Sequence, residues 1–165
     1  MHKLPEVEDA KALMEDAIDW SVFTWLWEKK KVRQAADVAN HVLDQLNRKI
    51  KASWSDETKA AYRELVEESR RKGKKQNQAK ARPEISSQVA SERADSDLIS
   101  LLKKVKDADD EAHDARMDAE ATFDEADRQM NLSLAREGCG KAILSWELHE
   151  KAIRRAEAVA KLGKS

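Results

Sequence analysis

The chain is poor in the residues that make a polypeptide turn. Four glycines and two prolines are spread over 165 residues, so long stretches hold nothing that breaks a helix. Runs in which Val, Ile, Thr or aromatic residues alternate with polar ones, the mark of a half-buried strand, are missing too. A single cysteine, Cys139, excludes an intrachain disulfide. A reducing, cytoplasmic location is therefore expected, with an intermolecular crosslink as the other use for an odd thiol. The longest apolar-rich run, residues 17–27, includes Asp19 and is too short to span a bilayer. No transmembrane segment is expected, and the first six residues carry no signal-peptide pattern. An excess of one charge is also lacking: 31 Lys and Arg against 32 Asp and Glu give a formal net charge of −1, so bulk charge selects no polyanionic or polycationic partner.

What the chain has in quantity is helix formers. Alanine fills 25 positions, and with Glu, Lys, Leu and Arg it makes up just over half of the residues, the composition of long helices when a helical period accompanies it. The charged fraction of 38% calls for narrow apolar stripes and broad solvated faces.

The period is there. Pro5 followed by Glu6, Glu8 and Asp9 reads as a helix start. Apolar residues then step by three or four through Val7, Ala10, Leu13/Met14 and Ala17/Ile18, and again through Val32, Ala35/Ala36, Ala39, Val42/Leu43, Leu46 and Ile50. With no glycine or proline from 6 to 52, one long helix is expected, a kink near residues 28–31 being the alternative. Ser55, before Asp56 and Glu57, reads as the N-cap of a helix that fades near Gly73. Residues 70–97, rich in basic and then polar residues, read as a linker, partly disordered or loosely helical, with a short helix over 83–94. Beyond it Leu98, Leu101, Val105, Ala108, Ala112, Ala115, Ala119, Thr122 and Ala126 alternate steps of three and four, a heptad seam whose middle is alanine. Small knobs of that kind demand a close partner helix or a weakly buried seam. Gly138-Cys139-Gly140 suggests a break, although the apolar phase carries across it from Met130 and Leu134 to Ala142 and Trp146. The expected fold is all-α: a single domain over 1–165, an elongated antiparallel bundle of about four helices, two of them long, with coiled-coil-like packing.

Four features bear on chemistry. In residues 18–27 two helix faces are apolar, Ile18, Val22 and Trp25 on one and Trp20, Phe23 and Trp27 on the other. A helix apolar on two faces has to be covered on both, so Trp20, Phe23 and Trp27 are candidates for an interface with a second copy or a protein partner. Core filling and membrane-surface insertion beside Lys29–Lys31 are the competing readings. Residues 107–127 hold ten acids and one base, and Asp110, His113 and Asp114 share a face as metal-ligand candidates, but no Glu-x-x-His pair of the di-iron bundles occurs. Residues 70–82 carry seven basic residues and no acid, a surface for nucleic acid or anionic membrane without the aromatics or module of a specific nucleic-acid binder. Cys139 lacks any neighbouring motif that would activate a thiol. With no phosphate loop, zinc spacing or nucleophile elbow, no cofactor and no enzymatic activity are expected. The leading expectation is a helical interaction or scaffold protein. The alternatives are a carboxylate/histidine metal-binding bundle and a peripheral nucleic-acid or membrane binder through residues 70–82.

Overall fold

The computed structural model describes residues 5–74 and 93–164, without the side chains of 22–23, 26–27, 73–74, 93–96 and 163–164. The described residues form five helices and no strand: α1 (Pro5–Ile18), α2 (Val22–Ala52), α3 (Asp56–Lys74), α4 (Arg93–Gln129) and α5 (Leu132–Lys164). The expectation of an all-α chain holds. Three of these helices are long, at 31, 37 and 33 residues. Of the stretch expected as a linker, 70–74 close α3 and 93–97 open α4, while residues 75–92, with most of the short helix expected over 83–94, lie outside the described residues.

The single helix expected over 6–52 is two helices, and the break falls at residues 19–21 rather than at the lysines of 28–31. No glycine or proline causes it. Asp19 and Trp20 donate their N–H groups to the carbonyls of Asp16 and Ala17, tightening the last turn of α1. Ser21 is extended (φ −79°, ψ 167°), and its hydroxyl accepts the Thr24 N–H at 3.3 Å, an N-cap for α2. The freed carbonyl of Trp20 accepts from the Arg136 guanidinium at 2.7 Å. Caps and a cross-helix donor thus replace the bonds a continuous helix would have made. Ser55 caps α3 as the sequence suggests, accepting the Thr58 N–H at 3.1 Å.

The expected break at Gly138–Gly140 is a second correction. These residues lie inside α5, and the chain reverses at Met130–Asn131. Met130 has φ 52°, a left-handed conformation. The Asn131 N–H returns to the Ala126 carbonyl at 3.1 Å, closing α4. The Asn131 side-chain oxygen accepts the Leu134 N–H at 3.2 Å, opening α5. The α4–α5 pair makes the most extensive helix contact, and it is antiparallel: Lys141 reaches Asp118, and Arg155 reaches the carbonyl of Lys104. The heptad seam faces inward, with Val105, Ala108, Ala112, Ala119, Thr122 and Ala126 buried. Gly138 explains itself here. A Cβ on it would lie 3.0 Å from the Phe123 ring, whereas one on Gly140 would meet nothing within 4 Å. The first glycine permits a close helix crossing.

Helices α1 and α2 cover one side of the α4–α5 pair. Val7, Ala10, Met14 and Ala17 of α1 join Val32, Ala36, Ala39 and Leu43 of α2 in one core with Phe123, Ala135, Cys139, Ala142 and Trp146. Helix α3 builds a second core farther along, in which Trp54, Leu102, Val105, Ala156 and Val159 pack with Tyr62 and Leu65.

A pair of substitutions separates the two glycines. Gly140→Ala is expected to raise the unfolding free energy by about 1 kcal/mol through helix propensity. Gly138→Val is expected to lower it by about 1–3 kcal/mol through overpacking against Phe123. Urea denaturation followed by circular dichroism measures both, and equal gains at the two sites would exclude a close crossing at Gly138.

Candidate interaction surface and the polar seam

The aromatic segment of residues 18–27 divides between core and surface. Trp25 is buried and stacks on Phe123 with ring centroids 6.5 Å apart and planes inclined by 11°. The Arg33 guanidinium lies 4.9 Å from the centre of the same Phe123 ring. Trp20 is half-buried, its ring 6.3 Å from that of Trp25. Because the helix breaks there, Ile18 is not on the buried side with Trp25 and is 37% exposed. The side chains of Phe23 and Trp27, the other two interface candidates, lie outside the described residues. The α1–α2 corner sits at the same end of the α4–α5 hairpin as the Met130 turn, since Trp20 is held by Arg136. Met130 itself is 49% exposed.

Beyond the Trp25–Phe123 stack, the contact between α2 and α4 is largely polar. Their backbones make little close approach, and side chains span the gap. Arg33 donates to Asp124 at 2.9 Å and to Asp127 at 3.2 Å. Burial opposes the charge of Arg33, and the two carboxylates outweigh it, so its pKa is raised. Arg116 of α4 pairs with Asp44 of α2 at 3.1 Å. Asp109 accepts from Lys51, from Asn47 and, at 2.9 Å, from the Tyr62 hydroxyl, tying the α2–α3 junction to α4. Burial first, then the Asp109 charge, raises the Tyr62 phenol pKa. Between these clamps a crevice over Asn40, Ser145 and Trp146 encloses about 10 Å³, room for one water. At its floor the Trp146 indole N–H donates to the buried Asn40 side chain at 2.9 Å.

Asp109, Asp118, Asp124 and Asp127 of the acidic stretch are therefore engaged by bases of α2 and α5. No sequence signal pointed to these partners, because they lie on other helices. Asp110, His113 and Asp114 are exposed on α4, and Asp110 pairs with Lys106 one turn away. Among the described residues, no group of three or more His, Cys, Asp or Glu is arranged to hold a metal ion. Arg70, Arg71 and Lys72 of the basic run are exposed on α3, and 75–82 lie outside the described residues. Cys139 is buried in the core, and burial pushes its thiol up to about 12, the environment of an inert thiol. Among the described residues no helix is long and apolar enough to cross a membrane.

The fold of the described residues is all-helical, and no family model, curated protein or solved structure matches the chain.

Asn40→Leu is expected to cost about 1–3 kcal/mol of stability, because it strands the Trp146 N–H in the core. Thermal or urea unfolding monitored by Trp fluorescence checks this. A neutral outcome would mean that the indole finds another acceptor.

Proposed function

We propose that the chain is a non-enzymatic helical interaction or scaffold protein that docks a second copy or a protein partner through its aromatic α1–α2 corner. One observation carries this reading: Ile18 and half-buried Trp20 remain open at the end of the molecule where Met130 is also exposed. Trp20, Phe23 and Trp27 are the proposed contact residues, and tryptophan is a residue type enriched where binding energy concentrates. The bundle we infer is elongated and antiparallel, with coiled-coil-like packing along the α4–α5 seam. The three-four spacing of the buried seam and the opposite sense of the two helices support that arrangement. A rod of this kind suits a scaffold because its ends are far apart and its flanks are charged and solvated.

Size-exclusion chromatography with light scattering tests the proposal. The native chain is expected to show a mass above the 18.7 kDa monomer that falls on dilution. The double variant Ile18→Ser/Trp20→Ser is expected to weaken association by about 30-fold, the effect of losing about 2 kcal/mol at a hot spot. A monomer at every concentration, unchanged by the double substitution, would remove the support for the corner as an interface.

A further inference from the structure

Helix α5 is patterned on two faces. Its buried seam steps by three and four from Ala135 through Ala142 and Ser145 to Ala152, Ala156 and Val159. Two residues on from each step, about 200° around the helix, a second line with the same spacing runs from Glu137 to Lys161. Its members are exposed, apart from half-buried Lys151. Leu144 stands on it at 50% exposure. So does Gly140, where a Cβ would meet nothing within 4 Å. Glycine is unfavourable in a helix interior, and the crossing that explains Gly138 does not explain Gly140. Charge on this line is divided by position. Glu137 and Glu147 lie in its first half, and Lys151, Arg154 and Lys161 in its second. Glu137 is 3.2 Å from Lys141 and Glu147 is 3.8 Å from Lys11, yet both acidic side chains remain 55% exposed.

We propose that this outer face of α5 binds a second copy of the chain, antiparallel and two-fold symmetric about a point between Glu147 and Lys151. Charge complementarity selects that occupant and that direction. In this register Glu147 faces Lys151 of the second copy, and Glu137 faces its Lys161. A two-fold axis makes each contact twice, so all four pairs join opposite charges. Gly140 faces Ala158, which lets the two helices come close. Leu144 faces Arg154, whose aliphatic stem covers an apolar side chain while the guanidinium stays in water. A parallel pair would instead set every one of these charges against its own kind. The line is about 36 Å long at ~1.5 Å per residue. A contact one helix wide and largely ionic gives a weak, salt-dependent dimer. The surface is separate from the α1–α2 corner and goes beyond the function proposed for that corner.

Sedimentation equilibrium of the full chain carrying Ile18→Ser/Trp20→Ser tests this face apart from the corner. At about 50 mM salt a monomer–dimer equilibrium is expected, weakening about tenfold or more at about 500 mM. In that background Glu137→Lys/Glu147→Lys, and separately Lys151→Glu/Lys161→Glu, are each expected to weaken self-association about tenfold or more. An equimolar mixture of the two charge variants is expected to regain it, because every pair then joins opposite charges again. Recovery in the mixture also shows that both variants fold. A chain that stays monomeric at low salt would overturn the proposal, as would self-association that the charge reversals leave unchanged or that the mixture does not regain. Failure of the corner as an interface would leave these expected results untouched.

Discussion

The close approach of α4 and α5 is the constraint on which the rest of the structure depends. A seam of alanines offers little apolar area per residue, and dispersion forces fall off within a fraction of an ångström of optimal contact. Ala108, Ala112, Ala119 and Ala126 can be buried as they are only if the facing helix comes near. Gly138 makes that approach feasible by leaving room for Phe123. Phe123 in turn offers its face to Trp25 and to Arg33. The two-helix core is thereby extended to α2, and through Met14 and Ala17 to α1.

The second layer of the structure is electrostatic. A chain with 38% charged residues and a net charge of −1 has many opposite charges to place, and it sets a share of them across the α2–α4 and α4–α5 boundaries. Exposed pairs of this sort contribute little individually, about 0–1 kcal/mol each. Their value is in register. The Arg33, Asp44 and Lys51 partners on α4 recur at Asp124, Arg116 and Asp109, so a slip of one helical turn would misplace all three. The buried Asn40–Trp146 bond adds a directional constraint that apolar packing cannot supply.

The helical class was legible because periodicity is a local property. Val7 to Ala17, Val32 to Leu43 and Val105 to Ala126 bury most of the residues that the three-four spacing selects. The helix ends were harder to read. The break at residues 19–21 depends on a serine cap and on Arg136, more than a hundred residues away, and the turn at Met130 uses a residue that rarely adopts positive φ. Ser21 and Asn131 are common capping types, but a capping type without a change in apolar period does not mark a helix end. Gly138 misled because glycine serves both turns and close crossings, and spacing alone does not separate the two. At the candidate interface, Trp25 and Trp20 share an apolar run in sequence but go to core and corner, a division made by the break. The partners of Asp109, Asp118 and Asp124 come from other helices, so no spacing along α4 could reveal them.

The α1–α2 corner proposed as an interface rests on the same constraint: a core built largely from alanine leaves Trp20 half-buried and Ile18 exposed at one end. The most direct test of that account is the unfolding free energy of Ala112→Leu, measured in urea at neutral pH. If α4 and α5 are in close contact through their small residues, the larger side chain has no space and stability falls by about 1–3 kcal/mol. A stability that rises, as filling a loose seam with a leucine would produce, would contradict the close approach and everything built on it.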